Sequence, residues 1–383
     1  MVKFKKLGDL CYISSGGTPK RTITDYWDNG KIPWVKISDI KSKHILNTDE
    51  RITKQGLENS SAKLFPKDTI VYTIFATVGE VGILDITAAT NQAIAGIQVK
   101  DRTQLRVDYL YYFLKSIKKS VQFLGRGVAQ NNINLSVLKS ISVPIPSFQE
   151  QTAIVKVLDS LNGQIKNKHK QLTLLSQLIK ARFVEMFGDP VLNSNDYKLI
   201  KLSNLGTLSR GKSKHRPRND PKLLGGPYPL IQTGDITSSG IFIKKYNNTY
   251  SKLGLKQSKM WPAGTLCITI AANIAQTAIL SFDACFPDSV VGFIPKADII
   301  TTTYLHYWFS FFQKILDAQA SQVAQKNINL KVLSNLDVAV PPITEQDKFL
   351  SFVQQVDKSK VAVQKSLEET QTLFDSLMQK YFG

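Results

Sequence analysis

The chain has 383 residues, and its 49 lysines and arginines against 30 aspartates and glutamates give a net charge of +19. Its hydrophobic content of 43% is ordinary for a globular protein, and no apolar run is long enough to span a membrane. The first residues lack the apolar segment of a secretory signal, so we expect a cytoplasmic protein. Such a basic balance indicates a polyanionic partner, most often nucleic acid, and the length suits roughly two or three domains.

The cysteines and histidines argue against metal and disulfide chemistry. Cys11, Cys267 and Cys285 are far apart, and no Cys-x-x-Cys pair is present. The four histidines are scattered without a partner at metal-binding spacing. This usage predicts neither a disulfide framework nor a zinc site, and it fits a reducing cytoplasm.

The second half of the chain repeats the first. Residues 128–138 return as residues 323–333, with nine of eleven positions identical at an offset of 195. Between such anchors the halves differ widely, as residues 14–30 and 208–226 show. The pattern indicates one scaffold duplicated to carry two specificities, with neutral drift between old duplicates as the alternative.

Each copy opens with Leu-x-x-Leu and then a loop that combines glycine with cations, residues 14–21 in the first copy and 210–218 in the second. Glycine permits close approach to a phosphate, and cations supply affinity. The solvated-loop alternative is weaker here, given the charge of the whole chain. The unlike loops, rather than the shared segments, would read bases. The candidate DNA-binding residues are Gly16, Gly17, Thr18, Lys20, Arg21, Lys36, Arg126, Gln130, Arg210, Lys212, Lys214, His215, Arg216, Arg218, Gln232, Gln325 and Lys326.

Strands and one amphipathic helix follow in each copy. Residues 69–74 and 265–270 are rich in β-branched side chains and predict strands. Helical spacing of apolar residues begins near Tyr109 and Leu305. We therefore predict two mixed α/β domains with twisted sheets, in an α+β fold.

The repeated Gln-x-Asn-Ile-Asn segment has two readings. Amides suit bidentate contact with adenine, and they equally satisfy backbone groups in a turn. Both copies share these amides although their specificities should differ, so we interpret the segment as mainly scaffold. Gln130 and Gln325 stay as marginal phosphate-contact candidates.

Each copy ends in a heptad pattern that predicts a helix of nearly forty residues, about 55–60 Å long. Each helix finds its simplest partner in the other, and the connectivity makes the pair an antiparallel coiled coil with a domain at each end. Along DNA this would hold the domains about one and a half turns apart. The seam residues are Ile154, Leu158, Leu161, Ile165, Lys168, Leu172, Leu175, Ile179, Arg182 and Met186, then Phe349, Val353, Val356, Lys360, Val363, Leu367, Thr370, Phe374, Leu377 and Tyr381.

Motifs of catalysis are not found in the sequence. It contains no phosphate-binding Gly-x-x-x-x-Gly-Lys loop, no Asn/Asp-Pro-Pro-Tyr/Phe methyltransferase motif and no zinc-protease motif. Acidic residues do not cluster as a nuclease metal site requires. We therefore predict a chain that binds and positions without doing chemistry.

The arrangement resembles the specificity subunit of type I restriction–modification enzymes over essentially the whole chain. The resemblance rests on the Ser-Gly-Gly-Thr-Pro loop at 15–19, the Pro-Trp-Val-x-x-x-Asp-Ile stretch at 33–40, and the Glu-Gln junctions at 150–151 and 345–346. The second copy departs from the pattern, because a basic loop replaces Gly-Gly-Thr-Pro.

The resemblance implies target-recognition domains at 1–148 and 189–343, each reading one half of a bipartite asymmetric DNA site. It implies spacer helices at 149–188 and 344–383 that dock two methyltransferase subunits, which restriction subunits join. S-adenosylmethionine, ATP and magnesium would then act in those partners, with no cofactor in this chain. Two rival hypotheses are a protein adaptor with basic domains, and a nuclease with an unrecognised site.

Overall fold

The computed structural model describes residues 3–125, 132–215, 217–218, 220–271, 274–321 and 328–383. In the first copy the strands are β1 (Lys3–Lys6), β2 (Cys11–Ser15), β3 (Ile32–Val35), β4 (His44–Ile45), β5 (Glu50–Ile52), β6 (Leu64–Phe65), β7 (Ile70–Thr73), β8 (Val81–Leu84), β9 (Ala88–Thr90), β10 (Ile94–Val99) and β11 (Ser142–Ile145). The helices are α1 (Leu7–Leu10), α2 (Lys54–Glu58), α3 (Val107–Ser116), α4 (Lys118–Gly125), α5 (Leu135–Ser140) and α6 (Phe148–Phe187).

The second copy has the same succession of strands, whereas one helix, α10, stands where the first copy has α3 and α4. Its strands are β12 (Leu199–Lys201), β13 (Gly206–Arg210), β14 (Leu224–Leu230), β15 (Phe242–Ile243), β16 (Asn248–Tyr250), β17 (Met260–Trp261), β18 (Leu266–Thr269), β19 (Thr277–Leu280), β20 (Ala284–Cys285), β21 (Val290–Pro295) and β22 (Asp337–Ala339). Its helices are α7 (Leu202–Leu205), α8 (Thr233–Ser238), α9 (Lys252–Lys256), α10 (Thr302–Ser321), α11 (Leu330–Ser334) and α12 (Ile343–Phe382).

The chain forms two units, and each takes a part of both long helices. The first unit is residues 1–169 with 365–383, and the second is residues 170–364. Among the described residues, the first unit contains the sheets β1-β11, β2-β10-β7-β8-β4 and β5-β3-β9-β6. The second contains β12-β22, β13-β21-β18-β19-β15 and β16-β14-β20-β17, so the strand order of the two units is the same. The predicted α+β fold with an internal repeat is confirmed.

The five-stranded sheet of each unit is covered on both faces, which explains the continuous apolar runs of its central strands. Side chains alternate between the faces of a strand. In β7, Ile70 and Tyr72 pack with the helices, whereas Val71 packs with the four-stranded sheet. In β18, Leu266 and Cys267 divide in the same way. Each unit is therefore layered as helices, five-stranded sheet and four-stranded sheet.

The long helices pack antiparallel within each unit, as the heptad pattern predicts. In the first unit the Lys168 ammonium donates to the Thr370 hydroxyl at 2.6 Å. In the second, the Phe183 and Phe349 rings are 5.4 Å apart. Buried seam residues are Leu158, Leu161, Ile179, Phe349, Val353, Val356, Leu367 and Phe374, and partly buried ones are Ile154, Ile165, Leu172, Leu175, Val363 and Leu377.

The seam positions predicted at Arg182 and Met186 are only partly buried. The structure buries Phe183 and Phe187 instead, which follow Ile179 at intervals of four residues. Phe183 stacks on Tyr304 with 5.3 Å between the rings. The heptad gives way here because this end of the helix packs against its globular domain as well as the other helix, so it needs a broader apolar face.

A buried glutamine fastens each long helix to its globular domain. Gln151 and Gln346 are both 0% exposed. The Gln151 carbonyl accepts from the Arg106 backbone N–H at 2.9 Å, and its amide donates to the backbone carbonyls of Gln104 and Pro146 at 2.8 and 3.1 Å. Gln346 repeats the pattern with the backbones of residues 299, 301 and 341. The Glu-Gln junction of the sequence is therefore a structural joint.

We predict that Gln151→Ala and Gln346→Ala each lower the free energy of unfolding by about 2–4 kcal/mol, because each removes three hydrogen bonds made by a buried amide to the backbone. Gln164→Ala removes an exposed glutamine from α6 and should change it by less than about 0.5 kcal/mol. Urea unfolding followed by circular dichroism measures the differences. Equal effects of Gln151→Ala and Gln164→Ala would contradict the joint.

Candidate nucleic-acid interface

Four chain segments meet at one edge of the first unit, residues 15–21, 35–39, 49–50 and 90–94, here called the first loop edge. Parallel pairing of β3 with β9 puts the ends of both strands together, and antiparallel pairing of β3 with β5 opposes Trp34 and Glu50. The end of β2 joins them because Ser15 opposes Ala95 of β10. The sheet topology thus assembles loops that are up to 79 residues apart in sequence.

Gly16 and Gly17 serve the packing of this edge. Both are buried, and their N–H groups donate to the carbonyls of Ile94 and Thr90 at 3.0 and 2.9 Å. A Cβ atom on Gly16 would lie 2.1 Å from the Thr90 hydroxyl, and one on Gly17 would lie 2.3 Å from the Ser61 carbonyl carbon. The close approach that glycine permits here is to the protein itself, and contact of this loop with a phosphate stays a prediction.

Arg21 and Lys36 share one carboxylate. The Arg21 guanidinium is 2.5 Å from Glu50 Oε2, and the Lys36 ammonium is 2.8 Å from Glu50 Oε1. Arg21 also lies over the Trp27 ring, 3.6 Å from its centroid, and its side chain is 52% exposed. The aromatic face and the carboxylate hold this cation in place while leaving it accessible.

The Glu50 carboxylate and the Lys36 ammonium remain charged near neutral pH. Partial burial by itself would raise the pKa of Glu50, but hydrogen bonds from Lys36 and Arg21 outweigh it and hold that pKa below its ordinary value. The same hydrogen bond with Glu50 raises the pKa of Lys36. The cluster therefore has a fixed set of donors and acceptors under physiological conditions.

The other two candidates of this loop differ in their contacts. The Thr18 hydroxyl donates to the Gln92 side-chain carbonyl, so it ties the loop to residues 90–94. Lys20 is exposed, and no ion pair joins it to any of the described residues. Its ammonium is available to a partner.

The second unit has an equivalent edge, made by the described residues of 210–218, 231–235, 247–248 and 285–290 and here called the second loop edge. Arg218 is 2.5 Å from Asp288 Oδ1, and Arg210 Nε donates to the Asp288 carbonyl at 3.0 Å. Gly211 is buried against Phe286, as Gly16 is buried in the first unit. Two cations therefore bind one acidic residue at each edge, which is Glu50 in the first and Asp288 in the second. These acidic residues are not at equivalent positions of the repeat.

The basic loop of the second edge is fastened through its backbone. Gln257 accepts from the N–H groups of Lys214 and His215 at 2.6 and 3.1 Å, and Ser258 donates to the Lys212 carbonyl at 2.9 Å. The Lys212 and Lys214 side chains are exposed. The His215 ring is 3.1 Å from Asp220. The loop therefore presents lysines on a backbone that is held in place.

Gln232 lies at a polar cavity of about 300 Å³. Arg218, Ser213 and Tyr250 also line the cavity. Gln232 is exposed, and the Asn248 amide donates to its side-chain carbonyl at 3.2 Å. An amide and a guanidinium at one cavity can offer both donors and acceptors to a base edge.

The remaining predicted contacts, Arg126, Gln130, Arg216, Gln325 and Lys326, lie outside the described residues. The asparagine that ends the repeated segment caps the helix that follows it in each copy. Asn134 accepts from the N–H of Val137 at 2.8 Å, and Asn329 accepts from that of Val332 at 2.9 Å.

Sequence reasoning missed the counter-charges Glu50 and Asp288. No local motif marks them, because strand pairing brings them to their cations. Trp27 and Trp34 were also missed, although two tryptophans that follow a basic loop are a usable signal for a stacked cation.

The described part of the chain offers neither a metal site nor a membrane span. No group of three or more histidine, cysteine, aspartate or glutamate side chains is placed to hold a metal ion there. Within the same residues, no helix combines the length and apolarity of a membrane span.

Comparison with known proteins identifies the family. The family model described as "Type I restriction modification DNA specificity domain" matches residues 1–177 and again 194–370. The chain belongs to this family. This specificity subunit therefore carries two copies of the domain and is a non-catalytic component of its system.

Curated relatives and a solved structure agree with that membership. The type I restriction enzyme MjaIX specificity subunit of Methanocaldococcus jannaschii is 24% identical over 98% of this chain and 91% of its own length. The EcoR124I/EcoR124II specificity subunit of Escherichia coli is 27% identical over 42% of this chain and 41% of its own. The crystal structure of an M. genitalium type I S subunit matches the fold with a TM-score of 0.63 at 17% identity, covering 100% of this chain and 96% of that one.

We predict that Gly16→Ala destabilises this specificity subunit by more than about 2 kcal/mol without any ligand, because its new methyl group has no room beside Thr90. Gly163→Ala lies in the middle of α6 with nothing within 4 Å, and should stabilise by about 0.5–1 kcal/mol. Thermal unfolding of both variants tests this. If Gly16→Ala were as stable as the wild type, the packing role of Gly16 would be wrong, and contact with a bound partner would be the remaining reason for glycine there.

Proposed function

We propose that this specificity subunit reads a bipartite, asymmetric DNA site. Residues 1–148 would bind one half-site and residues 189–343 the other. The observation that carries the proposal is a shared scaffold with two unlike loop edges, one bearing Arg21, Lys36 and Glu50 and the other Arg210, Arg218 and Gln232.

Charge supports DNA as the partner of both edges. Residues 1–150 and residues 191–345 each carry a net charge of +8. Cations on fixed loops position a duplex through its phosphates, whereas base edges supply the sequence information. The proposed phosphate contacts are Lys20, Arg21, Lys36, Lys212, Lys214, Arg216 and Arg218.

We infer that residues 149–188 and 344–383 fix the spacing of the half-sites and dock two methyltransferase subunits, to which restriction subunits add. Family membership supports this, and so do exposed apolar side chains at repeat-equivalent positions of the helices, Leu178 and Leu373, which are 48% and 49% exposed. In this proposal S-adenosylmethionine, ATP and magnesium serve the partner subunits, and the complex works in the cytoplasm.

Exchanging residues 191–343 for those of a relative with another specificity should change one half of the methylated site and leave the other half as it was. The exchanged chain would be expressed with its methyltransferase subunits, and modified adenines would be mapped by single-molecule sequencing. Exchange of residues 1–148 is the matched control and should change the opposite half. A change in both halves from one exchange, or in neither, would refute the two-reader proposal.

Lengthening both helices by one heptad, after Lys170 and after Lys365, should lengthen the unread spacer by about three base pairs. Seven residues add about 10 Å of helix, and each base pair adds about 3.4 Å. The two insertion points are 195 residues apart, as the repeat requires. The same sequencing readout applies, and an unchanged spacer would remove the spacing role from the helices.

A further inference from the structure

Strand register identifies equivalent positions in the two loop edges, independently of sequence similarity. In the first unit Trp34 opposes Glu50 on one side and Ala89 on the other. In the second, Leu230 opposes Asn248 and Cys285 in the same pairings. Trp34 therefore corresponds to Leu230, and Glu50 corresponds to Asn248.

The residues two positions after Trp34 and Leu230 are Lys36 and Gln232, and the same hydrogen bond holds the backbone of both. The N–H of Lys36 donates to Asp39 Oδ2 at 2.7 Å, and the N–H of Gln232 donates to Asp235 Oδ2 at 2.8 Å. The shared aspartate fixes the backbone, so Lys36 and Gln232 start from equivalent points. Their side chains can differ without moving the scaffold.

Each of these side chains bonds to the equivalent partner across the strands. Lys36 donates to Glu50 at 2.8 Å, and Asn248 donates to Gln232 at 3.2 Å. The same two positions of the fold therefore hold an ammonium and a carboxylate in the first unit, and two amides in the second. Lys36 and Glu50 are 29% and 30% exposed, so the pair is at the surface.

The two pairs match different base pairs. In the major groove, guanine presents acceptors at N7 and O6 beside the N4 donor of cytosine. An ammonium next to a carboxylate complements that order. Adenine presents an acceptor and a donor beside the O4 acceptor of thymine, which two adjoining amides complement.

We propose that Lys36–Glu50 and Gln232–Asn248 are equivalent base-reading pairs, the first for a G·C base pair and the second for an A·T base pair. The inference rests on the proposed DNA-reading function and names residues that determine its specificity; it assigns Lys36 to a base edge rather than to a phosphate.

The surroundings of the pairs differ in a consistent way. Trp34 is 3% exposed, and its indole N–H donates to the Gly17 carbonyl at 3.1 Å, so the first edge is filled. The smaller Leu230 stands at that point in the second edge and lines the 300 Å³ cavity with Gln232 and Arg218. Gln232 of the amide pair therefore borders a cavity, whereas Glu50 of the ion pair also binds Arg21, which lies over the rings of Trp27 and Trp34.

The test exchanges the pairs in the full chain, assembled with its methyltransferase subunits. Lys36→Gln with Glu50→Asn should turn one G·C position of one half-site into A·T in the methylated motif. Gln232→Lys with Asn248→Glu should do the reverse at one position of the other half-site. Affinity for a duplex with the original motif should fall about tenfold to a hundredfold, measured by fluorescence anisotropy.

The matched control is Lys54→Gln with Glu58→Asn, which makes the same substitutions in an exposed ion pair of the first unit. It should leave the motif and the affinity unchanged. The single variant Lys36→Gln keeps the Arg21–Glu50 pair, and if the double variant fails to assemble it should still relax the same G·C position.

An unchanged motif in the assembled pair variants, or changes scattered over several positions, would overturn the assignment. If exchange of residues 191–343 alters one half-site while the pair variants alter none, the base-reading pairs fail and the two-reader function stands. If the domain exchange also fails, the proposed function itself is wrong.

Discussion

The structure depends on the buried amide that joins each globular domain to its long helix. Gln151 and Gln346 each bond three backbone groups with no exposure to solvent, and a buried amide with missing partners is costly. Because that geometry admits one arrangement, the first turn of each helix is fixed against its own domain. The joint is identical in the two copies, so the duplicated unit is domain plus helix rather than domain alone.

Within each domain, the sheets are constant between the two copies and the loops at their edges vary. The strand order, the sheet register and the aspartates at 39 and 235 are the same in both units. The loops above them carry different charges and different side-chain volumes, such as Trp34 against Leu230. A fold whose stability lies in its covered sheets can change its loop edge without losing its core.

Periodic features could be predicted from the sequence, and contacts made by strand pairing could not. The β-branched runs gave the central strands, and the heptads gave most of the helix seam. The pattern failed at Phe183 and Phe187, because a helix end that packs against a globular domain follows a wider apolar face than a seam. The ion pair of Glu50 with Lys36 could not be predicted, because only the pairing of β3 with β5 brings the two residues together. The burial of Gly16 was missed for the same reason, since Thr90 reaches it through the sheet.

The counter-charges alter how a basic surface can recognise DNA. Arg21 and Lys36 already share Glu50, and Arg218 already binds Asp288, so these cations gain less from a bare phosphate than free lysines would. A carboxylate near the duplex also repels phosphates, which weakens binding wherever the base edge offers it no donor. Exposed Lys20, Lys212 and Lys214 can supply affinity that is independent of sequence. Under the proposed base reading, cations paired with carboxylates favour the site whose bases bind both members of the pair. The residues that weaken general attraction to DNA would then sharpen discrimination between sequences.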